Sequence, residues 1–416
     1  MNTYPSGVVG WLRTVLIAVT VFCLLAASGC GSRSSTQDAS ASPTAESVKE
    51  LDADMKQKID AALDQAMTAA SVPGVMLGIW GPNGHYERAY GVADKATKAP
   101  METSFYSRIG SVTKTFTVTA VLQLADQGKV GLDDAIGKYI DGVPGGDAIT
   151  LRELARMQSG LANFTDAPQF QRVFFADPRR SFSPQELLGY AFSQPTTFAP
   201  GQSFQYCNTN TVLLGLLVEK ISRQPLSDYI RDHILTPLGM SHTHFPTTSA
   251  FPAPHAQGYT DQTADGAETT ATDWDPSWAW AAGAMISDLN DMHIWAPALA
   301  TGKLLSPQMQ AQRLQTVGAD GLPPPDGYGL GIFSLGGWIG HNGSLPGYQS
   351  VVVYQPDTHQ TLVILSNTDI SYQGSEPSTA LANAVTKVLT PDHVYALGSQ
   401  VHQPTTTLSP SPNKPR

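Results

Sequence analysis

The chain has 416 residues, 41% hydrophobic and 14% charged, which is the make-up of a globular protein rather than a disordered one. Its formal net charge of −10 argues against a nucleic-acid partner, because phosphate binding needs a basic surface. A core of this size needs no disulfide, and the three cysteines are too few to be a framework.

At the N-terminus, Arg13 precedes the apolar run TVLIAVTVFCLLAA, which is too short for a comfortable membrane span and leads into AASGC at Cys30. That ending resembles a bacterial lipobox. The resemblance implies a signal peptide over 1–29 and lipidation of Cys30, which anchors the chain to the extracytoplasmic side of the cell membrane. Residues 30–47 are small and polar and read as a flexible tether. The folded domain is expected over 48–395. Residues 396–416 carry the Pro/Ser/Thr bias of a disordered tail. Cys23 falls in the apolar run, so Cys207 is left alone in the domain and reads as a small buried filler.

Within the domain, LDADMKQKIDAALDQAMTAA predicts an amphipathic helix. GVMLGIWGPNGHYERAYGVAD predicts two strands around the turn GPNG. A helix follows from Ser111, with Val118, Val121, Leu122 and Ala125 on one face, and it stops at Gly128. Residues from about 130 to 300 read as mostly helical and rich in loops. YGLGIF, GWIGHNG, YQSVVVYQP and TLVILSN then read as antiparallel strands, and STALANAVTKVL as a last helix. This order predicts an α+β fold in which the terminal strands share one antiparallel sheet, covered by helices, beside an inserted helical lobe.

Three stretches carry chemistry. Ser111 and Lys114 in SVTK share a helix face one turn apart. A serine hydroxyl needs a base, and the helix dipole and desolvation both favour the neutral lysine amine. Tyr206 and Asn208 in YCN stand at the entrance to an apolar helix. A phenol beside an ammonium is drawn toward phenolate and becomes a base or proton relay, while Asn208 offers a donor and an acceptor for a substrate amide. In HNGS, His341 offers a positive or donor group, and Gly343 lets a substrate backbone approach the sheet edge. The Ser344 N–H pairs with that of Ser111 as an expected oxyanion hole.

The three motifs together resemble the serine β-lactamase and penicillin-binding-protein superfamily, in its class C β-lactamase and D-alanyl-D-alanine carboxypeptidase branch. That family uses S-x-x-K, Y-x-N and K/H-x-G in this order, and the flanks RMQSGLANF, PGQSFQYCNTNTVLLGLLVEKI and AAGAMISDLNDMHIWAPAL also match, so the resemblance covers roughly residues 55–390. It implies Ser111 as the acylated nucleophile, Lys114 as its base partner, Tyr206 as base or relay, and Asn208, His341, Gly343 and Ser344 as substrate-binding groups. It implies no metal and no other cofactor. A monomer acting on a small-molecule or peptide acyl substrate is expected.

Two rivals fall away on motif grounds. The SHTH stretch gives His242 and His244 but no Asp at H-x-H-x-D spacing, and no G-x-S-x-G occurs. Trp274, Trp278 and Trp280 read as packing rather than as an acyl site. Asn342 stands where peptidase relatives with histidine in the third motif carry a hydroxyl that holds the substrate carboxylate. This weakens the carboxypeptidase reading and leaves room for a carboxylesterase of the same fold. A non-catalytic cell-wall-binding lipoprotein is the alternative from another class, against which the intact Ser111, Lys114 and Tyr206 speak.

Overall fold

The computed structural model describes residues 49–319 and 321–396. The signal peptide, Cys30, the tether and residues 397–416 of the tail lie outside the described residues. No described helix is long and apolar enough to cross a membrane.

The first helix, α1 (Ala53–Ala70), begins where Asp52 accepts the Met55 N–H at 2.9 Å. It buries Ile59, Leu63, Met67 and Ala70 along one stripe, and Ser71 ends it in a left-handed conformation. The hairpin follows as β1 (Gly74–Gly81) and β2 (Gly84–Gly91), with the turn at Pro82 and Asn83. The later strands are β3 (Gly327–Tyr328), β4 (Phe333–Leu335), β5 (Trp338–Leu345), β6 (Tyr348–Gln355) and β7 (Gln360–Ser366).

These seven strands form one antiparallel sheet in the order β2-β1-β7-β6-β5-β4-β3. The first and last parts of the domain therefore do share a sheet, with Val75 opposite Ser366. Both faces are covered, so the central strands are apolar runs rather than alternating ones. Val351 and Val353 pack into one core with α1 and the last helix, while Val352 and Tyr354 pack into the other. The architecture is the expected α+β one.

Two elements differ from expectation. YGLGIF is not one strand, because Gly331 takes φ +70° between β3 and β4 and lies against Val118, which a Cβ would meet at 2.6 Å. The helix after Ser111, α2 (Thr113–Asp126), has no solvent face for most of its length. Thr113 to Leu122 are all buried. Its threonines make this possible by spending their hydroxyls internally. Thr115 donates to Val112 O at 2.6 Å, Thr117 to Ala281 O at 2.8 Å and Thr119 to Thr115 O at 2.5 Å.

Candidate active site

Ser111 sits in a 3₁₀ turn, Gly110–Val112, that runs into α2, and Lys114 lies in the first turn of that helix. Lys114 Nζ is 3.0 Å from Ser111 Oγ and donates to the Ala282 carbonyl at 2.7 Å. Complete burial holds the Lys114 pKa well below the usual lysine range. The shift favours the neutral amine, which with one N–H on Ala282 keeps a lone pair for the Ser111 proton. The segment carrying Ala282 is tied to α2 from both sides. Thr117 donates to Ala281 O, and Thr113 accepts from the Met285 N–H at 3.1 Å. Sequence reasoning missed the Ala282 carbonyl, because a backbone acceptor leaves no residue-type signal.

The second motif enters from the start of α3 (Asn208–Ser222). Lys114 Nζ stands 4.8 Å from the centre of the Tyr206 ring. Burial raises the Tyr206 pKa well above the ordinary value, and Tyr328, Glu376 and Cys207 add to the rise, while the Ser111 hydroxyl draws it down. Tyr206 is thus a phenol, and the expectation of a phenolate beside an ammonium is corrected: burial disfavours both ions, leaving a neutral pair. The Tyr206 hydroxyl is buried and makes no hydrogen bond of good geometry, despite the nearby serine. The Asn208 side chain is 1% exposed, and neither its oxygen nor its nitrogen has a partner. Its backbone is nevertheless fixed, because Asn163 Oδ1 accepts the Asn208 N–H at 3.0 Å and Thr209 donates to Ala162 O at 2.8 Å. Buried polar groups are almost always paired, so these three atoms, like the other unpaired buried atoms among the described residues, have hydrogen-bonding capacity left for water or a ligand.

The third motif lies on β5. Gly343 does let a backbone approach, but the backbone is the protein's own. A Cβ there would collide with the Ile109 carbonyl and stand 2.9 Å from Ser111 N. Across the sheet, Ser350 reaches past Gly343 to donate to Ile109 O at 2.8 Å. Gly110, at φ +52°, has the matching role: a Cβ on it would lie 2.5 Å from Ser344 N. These two glycines bring the backbones of Ser111 and Ser344 side by side.

Of the two expected roles for His341, positive group or donor, burial disfavours the first. The side chain is wholly buried, and burial pushes its pKa down to about 3, with the Asn342 carbonyl opposing this and Lys114 reinforcing it. Its Nδ1 is hydrogen-bonded to the Asn342 carbonyl, and its Nε2 lies 3.2 Å from the Tyr328 hydroxyl. The neutral tautomer with hydrogen on Nδ1 satisfies both. Tyr328, which sequence reasoning missed, also meets the Tyr206 ring edge-on at 6.1 Å. Asn342 is turned to Glu376 Oε2, at 2.9 Å.

The secondary candidates resolve differently. Trp274 and Trp278 are buried against Phe174, and Trp280 packs over Gly215, as the packing reading expects. Cys207 is buried, with its thiol pKa pushed up to about 11 by burial. His242 meets Asp288 and Asp291, ligand atoms all within 4.8 Å, so carboxylates do stand by SHTH although none follows in sequence. Each has a structural use. Asp288 Oδ1 caps the helix Leu289–Thr301 (α4) and its Oδ2 holds His242 Nδ1 at 2.7 Å. Asp291 Oδ2 accepts from the His242 N–H and the Thr243 hydroxyl.

The Beta-lactamase family model matches residues 59–386. Protein flp of Staphylococcus aureus is 27% identical over 336 residues, covering 77% of this chain and 64% of its own length. The chain thus spans a little under two thirds of that relative. Among solved structures, a D-stereospecific amidohydrolase from Streptomyces sp. is 29% identical with a TM-score of 0.70, over 80% of this chain and 98% of its own. D-amino acid amidase from Ochrobactrum anthropi is 26% identical with a TM-score of 0.72, over 82% and 99%. With the three motifs carried on one fold and the family model spanning nearly all of the described domain, this chain belongs to the serine β-lactamase and penicillin-binding-protein superfamily.

Proposed function

We propose that this protein is a serine hydrolase that works through an acyl-Ser111 intermediate on carboxylate-free amides or esters of D-configured acyl groups. The observation that carries the reading is the 3.0 Å contact between Ser111 Oγ and a buried lysine amine, flanked by the orphaned Tyr206 and Asn208 groups. The amine lone pair takes the Ser111 proton as Oγ attacks the carbonyl carbon. The oxyanion is received at the Ser111 N–H, beside Ser344. Asn208 holds the substrate amide. Tyr206, as a phenol, donates its proton to the leaving nitrogen or oxygen and regains one from Lys114. Water then hydrolyses the acyl ester.

Electrostatics disfavours a substrate carboxylate. The amine at Lys114 and the neutral His341 leave these two positions without a fixed cation, and Asn342 is turned to Glu376. A substrate carboxylate would be desolvated with little compensation there. The likeness to a D-amino acid amidase and a D-stereospecific amidohydrolase supports D-configuration. The test has two parts. Incubation with a fluorophosphonate should give an intact-mass adduct that Ser111→Ala abolishes, and an adduct persisting in that variant overturns the nucleophile. A panel of D- and L-phenylalanine amide, a p-nitrophenyl ester, a D-Ala-D-Ala peptide and a cephalosporin should rank the D-amide and the ester first. Preference for the carboxylate-bearing members overturns the substrate class.

Export and anchoring through Cys30 belong to the same proposal, supported by AASGC and the polar stretch behind it. Cys30→Ala should release the protein from the membrane fraction or leave its leader uncleaved. A wild-type chain without acyl label overturns this part.

A further inference from the structure

The carboxyl of Glu376 is 6% exposed, just before the last helix α5 (Pro377–Leu389), and it is outside the three motifs. It receives one hydrogen bond, from Asn342 Nδ2. No cation figures among the groups acting on it. Beside it, Asn342 is completely buried and its Oδ1 has no partner. A buried carboxylate without a counter-ion and a buried carbonyl without a donor are each costly. One proton removes both problems.

We propose that Glu376 is a positioning residue, held as a neutral carboxylic acid that closes a two-bond ring with the Asn342 amide and so fixes β5 beneath Ser111. Asn342 Nδ2–H donates to Glu376 Oε2, and the acid O–H on Oε1 donates to Asn342 Oδ1. No covalent bond changes. The ring locks the residue between His341 and Gly343, and thereby the strand against which the Ser111 turn is clamped. The neutral acid also spares Tyr206 a facing negative charge, since the two interact.

The surroundings agree. Burial pushes the Glu376 pKa up from 4.5 to about 8, with the Asn342 bond opposing the rise and Asp369 adding to it. The other groups facing it are phenols, Tyr206 and Tyr395, both with raised pKa values. Asp369, itself pushed up to about 7 by burial, is held by Gly347, Thr260 and Gln262.

The inference rests on the reading of Ser111 as nucleophile only for its activity arm, and the other arms stand without it. The test is Glu376→Gln, whose amide can close the same ring without a titrating proton. Because the folded-state pKa is raised, the unfolded chain releases this proton from about pH 4.5 while the folded chain keeps it. Wild-type stability should therefore fall between about pH 4.5 and 8 relative to Glu376→Gln. The gap in Tm should widen over that window and stay constant above it. The infrared difference between wild type and variant should show the C=O stretch of one protonated carboxyl beyond that of Asp369. Wild-type acylation should fall as pH rises through about 8, and Glu376→Gln should lack that limb. Glu376→Ala, which cannot close the ring, should acylate about 10- to 100-fold more slowly with KM little changed. Parallel Tm curves, or a wild-type-minus-Glu376→Gln infrared difference without a protonated-carboxyl band, overturn the proposal. If Glu376→Gln does not fold, Asn342→Ala replaces it: the carboxyl band must shift when its amide partner is lost, and an unmoved band overturns the ring.

Discussion

The Ser111 site and the His242–Asp288–Asp291 cluster both gather polar groups, and they are built on opposite terms. In the cluster, the backbone N–H and Nδ1 of the exposed His242 and both buried carboxylates are engaged in caps and hydrogen bonds that hold the chain to itself. In the cleft, Tyr206 and Asn208 are buried with their polar atoms unpaired, at a standing cost in stability. Proximity of titratable groups is common to both regions. Unmet hydrogen-bonding capacity is what separates the Ser111 site from this cluster.

The sharpest way to break this comparison is to remove the proton-handling pair. Lys114→Ala and Tyr206→Phe should each cost roughly 100- to 10,000-fold in kcat/KM on an activated ester. The double variant should cost little more than the worse single, because groups acting as a unit are not additive. Losses that multiply would show independent roles. The pH profile adds a sign. Burial lowers the Lys114 pKa from the usual lysine range, so kcat/KM should fall as pH drops through that lowered value. Lys114→Ala should abolish this acid limb.

Asn208→Leu tests the orphaned amide directly. Substrate turnover should drop about tenfold or more, while thermal denaturation shows a stability equal to or above wild type, because an apolar group of similar shape needs no partner. A clear fall in Tm would mean that Asn208 is paired in solution and that the contrast is overstated. Asp291→Ala is the mirror experiment. It strands the His242 N–H and the Thr243 hydroxyl, so stability should fall by about 1–3 kcal/mol with kcat/KM per folded molecule unchanged. The smallest effect belongs to chelation: EDTA treatment should leave activity and Tm where they were. A loss of either on chelation would make the cluster a metal site and erase the distinction.

Much of the frame was legible in the sequence, for reasons particular to its elements. The GPNG turn and the VVVY and LVIL runs announce strands, and Ser111 with Lys114 announces itself by helical spacing. The failures were all of environment. His341 reads as a positive or donor group, and only the packing of Tyr206, Tyr328 and Phe333 around it disfavours the positive form. The helix α2 reads as amphipathic because its threonines look polar, whereas their hydroxyls are spent on nearby carbonyls. Gly343 and Gly110 are visible as glycines, but the collision they avoid is between segments far apart in the chain. Glu376 carried no signal at all, since its meaning comes from Asn342 across the sheet.

The pairing of β1 with β7 sets a constraint on how the molecule is made. One edge of β1 is satisfied locally by β2, while the other waits for Ser366 and its neighbours, which are synthesised near the end of the domain. Such long-range closure gives slow folding and leaves an apolar strand edge open in the interval. The cleft depends on the same closure, because the strand that clamps Ser111 is joined to β1 only through β6 and β7. A chain truncated before Gln360 would carry an intact nucleophile and lysine yet lack the sheet that holds them. Its fate would be aggregation through the bare edge rather than a partly formed site, so the assembled site arrives all at once, with the last strand.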